Sequence, residues 1–158
     1  VDVAKFYLGF TVDESCGKCA PCRIGGKSIL ALMEKITNGA GTMDDVEAIK
    51  TIGHAMQRGS LCALGQTSPN PVLSTMKNFP EEYRAHIIDK KCPAGKCKKL
   101  ITYVINPDKC IGCGACSRKC PVGAIAGAVR EKHVIDPKVC IRCGACRETC
   151  KFGAILVK

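Results

Sequence analysis

The chain has 158 residues, 46% of them hydrophobic but only 4% aromatic, with no Trp and a formal charge of +10. Fourteen residues are cysteine, which leaves two readings: a disulfide framework in an oxidising compartment, or metal binding in a reducing one. The start, VDVAKFYLGFTVDESCG, has neither the basic leader nor the cleavage site of a secretory signal, and no apolar run approaches the ~20 residues that cross a bilayer. A cytoplasmic, metal-binding protein with no membrane partner is therefore expected. The first residue is Val, not Met, so the chain is expected to be a piece of a longer one.

ESCGKCAPCRIGGKS (14–28) spaces Cys16, Cys19 and Cys22 two residues apart, and Cys62 follows forty residues later in GSLCALG. Three thiols at this spacing let one tight loop reach three irons of a cubane, with the fourth arriving from elsewhere. Between Cys22 and Cys62 the chain reads as helix. Ile29, Leu32, Met33 and Ile36 recur at helical spacing, and Asn38-Gly39 supplies a stop. Thr42 with Asp45 predicts an N-terminal cap for a second helix carrying Val46, Ile49, Ile52 and Met56 and closed by Gly59. Asn70-Pro71 and Pro80 predict two further helix starts.

Two motifs in this stretch are set aside. GGKS (25–28) resembles a phosphate-binding loop, but that loop needs Gly at position 21, where Pro21 stands. CAPC (19–22) has the spacing of a redox dithiol, yet Cys16 at the same interval favours a cluster.

The segment PEEYRAHIIDKKCPAGKC (80–97) holds His86 near a predicted helix end, then Cys92 and Cys97 around a turn-forming Pro-Ala-Gly-Lys. These two cysteines belong to no three-cysteine loop. With His86 they make a candidate tetrahedral zinc site that lacks a fourth ligand, since zinc takes both donor types at about 2.0–2.3 Å. Free thiols and a disulfide are the alternatives. The Lys-rich residues 90–99 also read as a hinge between an N-terminal helical domain (1–89) and a C-terminal domain (100–158).

The C-terminal domain is a duplication. VINPDKCIGCGACSRKCPVGAI (104–125) is echoed thirty residues on by VIDPKVCIRCGACRETCKFGAI (134–155). Each copy predicts a β-branched strand, a Pro turn, a cysteine loop, a helical turn and an apolar strand. Both follow C-x2-C-x2-C-x3-C, the bacterial ferredoxin spacing, in which the fourth cysteine ligates the other cluster. One 4Fe–4S cluster is then expected on Cys110, Cys113, Cys116 and Cys150, the other on Cys140, Cys143, Cys146 and Cys120. Gly112, Gly114, Ala115, Gly144 and Ala145 keep the loops small enough for backbone N–H groups to approach sulfide. The copies differ after the fourth cysteine, with Pro121 in one and Lys151 in the other. A pair of zinc knuckles would use paired C-x2-4-C units instead.

The expected fold is thus α+β: a small helical bundle carrying one 4Fe–4S cluster, followed by a bacterial-type ferredoxin domain carrying two. Twelve cysteinates around three cores of charge 2+ remove six charges, leaving about +4 of the formal +10. With few aromatics to stack bases, no nucleic-acid partner is expected.

ESCGKCAPCR followed by GSLCALG resembles the C-terminal helical domain of the flavin-bearing, NADH-oxidising subunit of respiratory complex I. With a two-cluster ferredoxin domain behind it, the chain resembles the beta subunits of NAD(P)-linked FeFe-hydrogenases, including electron-bifurcating ones, and of related formate dehydrogenases. The resemblance covers nearly the whole chain. It implies an electron-transfer module that passes electrons between an upstream flavin portion and a hydrogenase subunit or soluble ferredoxin. FMN and NAD(P) would bind only in that upstream part, since no Gly-rich nucleotide loop is present here. No residue is expected to be catalytic in its own right. The rival of another class is a zinc-rich, basic binding or scaffold protein.

Overall fold

The computed structural model describes residues 1–157. The chain forms two compact units, Val1–Leu100 and one that begins at Ile101. Among the described residues no helix is long and apolar enough to cross a membrane.

The first unit is all helical. Helix α1 (Asp2–Asp13) buries Ala4 and Leu8, four residues apart on one face. Helix α2 (Ala20–Thr37) starts with Pro21 in its first turn, where no N–H partner is needed. It buries Ile29, Met33 and Ile36 completely, with Leu32 packed at the edge of the same core. Its end is a Schellman motif. Gly39 takes φ 83°, its N–H bonds Ile36 O at 3.0 Å, and Ala40 N–H bonds Lys35 O at 3.0 Å. The expected stop at Asn38-Gly39 works through this geometry.

Helix α3 (Met43–Gly59) carries a reciprocal capping box. Thr42 Oγ1 accepts Asp45 N–H at 3.3 Å, and Asp45 Oδ2 accepts Thr42 N–H at 2.7 Å. The Lys35 ammonium sits 2.8 Å from Asp45. That ion pair, with Thr42 N–H, outweighs burial and holds the carboxyl below its usual range. Two short helices, α4 (Ala63–Thr67) and α5 (Asn70–Asn78), and then α6 (Pro80–Ile87) complete the bundle. Leu8, Ile29, Met33, Ile36, Ile49, Met56 and Val72 close its core.

Gly25 and Gly26 lie inside α2, not in a loop. A Cβ on Gly25 would come within 2.7 Å of Met56 Cγ, and one on Gly26 within 3.1 Å of Val12 Cγ2, so these glycines let α3 and α1 approach α2. That is a packing role, and the phosphate-loop likeness of GGKS is accidental. Residues 90–99 belong to the first unit: Cys92 N–H bonds Leu100 O at 3.2 Å, and Leu100 lies against Gly39.

The second unit shows the duplication in three dimensions. Strands β1 (Tyr103–Ile105) and β4 (Ile155–Val157) pair antiparallel with Ile105 opposite Ile155. Strands β2 (Ile125–Ala126) and β3 (Val134–Ile135) pair likewise with Ile125 opposite Ile135. The first strand of copy one thus closes on the last strand of copy two, so the copies are interleaved. Each cysteine loop opens with the same turn. Asp108 N–H bonds Asn106 Oδ1 at 2.9 Å, and Lys138 N–H bonds Asp136 Oδ1 at 2.8 Å. Each loop then runs through a left-handed glycine, Gly114 or Gly144, into one helical turn, α7 (Ala115–Lys119) or α8 (Ala145–Thr149).

Candidate metal centres

Interleaving decides which cysteines meet. One cavity is lined by Cys110, Cys113, Cys116 and Cys150. Another is lined by Cys120, Cys140, Cys143 and Cys146. Each therefore gathers three thiols from one copy and the fourth from the other. The rest of the lining matches by repeat position: Ile105 with Ile135, Ile111 with Ile141, Ala154 with Ala124, Ile155 with Ile125. Where both copies contribute a side chain, two pairs break the match, His133 against Tyr103 and Phe152 against Val122.

The electrostatics of the two cavities are those of crowded, buried thiols. Burial raises the Cys116 thiol, with Cys110 and Cys113 adding to the rise. Burial raises Cys146 likewise, with Cys140 and Cys143 adding. Like charges packed this closely ionise together only around a cation. Backbone N–H groups supply part of the compensation: Cys120 Sγ accepts Ala124 N–H at 3.3 Å. Tyr103 is pushed above the usual phenol value by burial, with Cys146, Cys143 and Cys140 adding and Arg147 opposing.

In the first unit Cys16, Cys19 and Cys22 occupy the turn between α1 and the start of α2, with Cys19 at the N-cap and Cys22 buried in the first turn. Cys62 caps α4. The two turns are adjacent: Cys19 is drawn toward the thiolate first by the Leu61 N–H and then, against the cost of burial, by the Cys22 N–H. A Cβ on Gly65 would lie 2.8 Å from Ser60 Oγ and 3.1 Å from Cys22 Cβ. Glycine at 65 is what brings the Cys62 turn against Cys22.

His86, Cys92 and Cys97 come together more tightly, with all three ligand atoms within 4.8 Å of one another. Cys97 Sγ lies 3.4 Å from His86 Nε2. His86 Nδ1 donates to Glu82 O at 2.6 Å, since a carbonyl can only accept. That bond fixes the tautomer and leaves Nε2 as a bare lone pair turned toward the thiols, the orientation metal-binding histidines use. Cys92 Sγ accepts the N–H groups of both Lys96 and Cys97 at 3.4 Å. Burial lowers His86, favouring the neutral ring. Burial also opposes ionisation of Cys92, but its backbone donors outweigh it and lower the thiol. Cys97 is pushed up to about 12 by burial and by its neighbour Cys92.

Every cysteine is a free thiol; eight of them line the two cavities of the second unit, and in the first unit the helix that Cys62 caps packs against Cys22 through Gly65. That donor set fits iron–sulfur clusters. Sequence reasoning missed Ser15 and Ser60 in the first unit and the His133–Tyr103 pair in the second unit. Only the repeat alignment, which puts Tyr103 and His133 at equivalent positions, carried any signal of the latter.

The chain has relatives among known proteins. Residues 2–86 match the family model described as the NADH-ubiquinone oxidoreductase-F iron-sulfur binding region. Residues 102–151 match a 4Fe-4S dicluster domain. The NADP-reducing hydrogenase subunit HndC of Solidesulfovibrio fructosivorans is 53% identical over 133 residues, which are 84% of this chain and 27% of that protein. The alpha subunit of the NAD-reducing hydrogenase HoxS of Cupriavidus necator is 33% identical over 93 residues, 59% of this chain and 15% of that one. A crystal structure of an NAD+-reducing NiFe-hydrogenase in its H2-reduced state aligns with a TM-score of 0.53 and 32% identity, over 54% of this chain and 15% of that chain. The chain thus spans less than a third of the length of these relatives. With its matched region running through more than half of its residues, the chain belongs to the NADH-ubiquinone oxidoreductase-F iron–sulfur binding family.

Proposed function

We propose that this chain is an electron-transfer module of a multisubunit NAD(P)H-linked oxidoreductase. Three 4Fe–4S clusters would be held by Cys16, Cys19, Cys22 and Cys62; by Cys110, Cys113, Cys116 and Cys150; and by Cys140, Cys143, Cys146 and Cys120. The observation that carries the reading is the pair of cavities in the second unit, each lined by three cysteines of one copy and one of the other. Such clusters supply a one-electron acceptor and donor that needs no proton-transferring side chain. The chain's own residues then do three things. Thiolates fix the centres, backbone N–H groups neutralise sulfur charge, and apolar walls such as Ile105 and Ile135 exclude water.

The electrons would run between an upstream flavin portion that binds FMN and NAD(P) and a hydrogenase subunit or soluble ferredoxin. The same role in an NAD-dependent formate dehydrogenase is the second reading. Likeness to a hydrogenase subunit over 84% of the chain supports the first. Iron and acid-labile sulfide analysis of anaerobically prepared protein tests the module: about twelve of each per chain are expected. A colourless folded protein with zinc and no sulfide would instead identify a zinc-rich scaffold.

For the remaining two cysteines we propose a zinc ion on His86 Nε2, Cys92 Sγ and Cys97 Sγ, with a fourth ligand from outside this stretch. The three donors already converge, and the Glu82 carbonyl already holds the ring. Such an ion would staple α6 to residues 92–97 without joining the electron path. Cys97→Ser should lower zinc by one per chain at constant iron. Wild-type protein free of zinc after preparation without chelators would refute it.

A further inference from the structure

Ser60 is the residue left over once the sites above are built. It caps α3 in extended conformation and is only 4% exposed. Both of its backbone groups are satisfied: its N–H bonds Met56 O at 3.0 Å, and its carbonyl accepts Gln66 Nε2 at 3.0 Å. Its hydroxyl is not. Among the described residues, Ser60 Oγ alone is a buried side-chain N or O atom without a hydrogen-bond partner. A hydroxyl buried unsatisfied is costly, so a native protein keeps one where an acceptor belongs.

The surroundings say what acceptor. Gly65 leaves open the space beside the oxygen, which any Cβ there would enter at 2.8 Å. Cys22 borders the same space, its Cβ 3.1 Å from where a Cβ on Gly65 would stand. A second hydroxyl faces the same cysteine. Ser15 Oγ is 3.3 Å from Cys22 Sγ, and it accepts Gly17 N–H at 3.3 Å. With its oxygen engaged by that N–H, its own proton is free to point at sulfur. The one serine beside the second unit's cavities, Ser117, spends its proton on Ile125 O at 3.1 Å.

We infer that Ser60 and Ser15 are positioning residues that donate O–H hydrogen bonds to sulfurs of the centre on Cys16, Cys19, Cys22 and Cys62, and that they raise its reduction potential. Hydrogen bonds to sulfur stabilise the more negative, reduced state and are among the determinants of cluster potential. This inference rests on the cluster reading of those four cysteines. It adds that the helical centre receives side-chain hydroxyl donors from two directions.

The test is an EPR-monitored potentiometric titration of the iron-loaded full chain, with iron per chain measured first. Ser60→Ala should leave the iron content intact and lower the midpoint of a single centre. The expected size is about tenfold less reduced centre at a fixed poise, or ~59 mV for a one-electron couple. Ser60→Thr, which keeps the hydroxyl, should hold the wild-type midpoint. Ser15→Ala should move the same signal in the same direction, and it carries the test alone if Ser60→Ala does not fold. Exchangeable-proton couplings to that centre should weaken in the Ala variants. Full iron with an unmoved midpoint in both Ala variants overturns the hydroxyl assignment while leaving the cluster reading intact. Wild-type protein without iron at that centre refutes the cluster reading itself.

Discussion

The two cysteine loops of the second unit are copies, yet they stand under different constraints at one shared position. Gly112 takes φ 73°, and a Cβ there would strike backbone atoms of Arg130 and Glu131 at 2.6 Å. Arg130 N–H also bonds Gly112 O at 2.9 Å. Thirty residues on, Arg142 takes the same left-handed conformation with φ 58° and carries a full side chain. The difference is the segment between the copies, which folds back on the first loop. Duplication thus preserved the backbone path and the cysteine spacing, while the need for glycine follows from what packs outside the loop.

The largest effect should come from breaking the exchange between the copies. Cys150→Ala should empty the cavity of Cys110, Cys113 and Cys116, removing about four of about twelve irons, while the EPR signal of the Cys140, Cys143 and Cys146 centre persists. Cys120→Ala should do the converse. If each variant instead silenced the centre of its own copy, the interleaved pairing would be wrong.

Next in size is the contrast at the shared position. Gly112→Ala should destabilise the second unit by about 2–5 kcal/mol through left-handed strain and overpacking, and loosen iron at one centre. Arg142→Gly should leave both centres loaded and stabilise by up to ~1 kcal/mol. Thermal unfolding with iron analysis separates the two, and equal losses from both would erase the contrast.

The smallest effect concerns the mismatched lining. His133 is held by its Nδ1–H to Glu131 O at 3.0 Å, while the Tyr103 hydroxyl lies over Gly144. Tyr103→Phe together with His133→Phe makes the two cavities alike in polarity. Their midpoint potentials should draw together, by less than the ~59 mV of a tenfold change. Midpoints that keep their separation would assign the inequality to Phe152 and Val122 or to Lys151.

Local signals explain what was legible in the sequence. The Thr42–Asp45 box, the Asn38-Gly39 stop and the helix starts at Asn70 and Pro80 are short-range devices, and each ends or begins an element where expected. The repeat was visible for the same reason. Helix α1 was not, because Val3, Phe6, Tyr7 and Phe10 expose apolar side chains on the face opposite Ala4 and Leu8, which blurs the helical period. Ser60 could not be singled out either. Its meaning comes from burial against a turn that holds Cys22, a distant residue along the chain, and sequence spacing carries no trace of that. Likewise the packing of Gly25 on Met56 is a contact between helices, invisible to a motif that reads neighbours only.

The interleaved pairing of the second unit also orders events on the ribosome. A nascent chain that has passed Cys120 displays four thiols from copy one, three for one cavity and one for the other, and completes neither. The second cavity first has all four of its cysteines when Cys146 emerges, and the first only at Cys150. Both closing strand partners, β3 for β2 and β4 for β1, also arrive late. Loading of either proposed centre would therefore wait for the second cysteine loop, and a chain arrested before it would expose thiols with no completed site to shelter them.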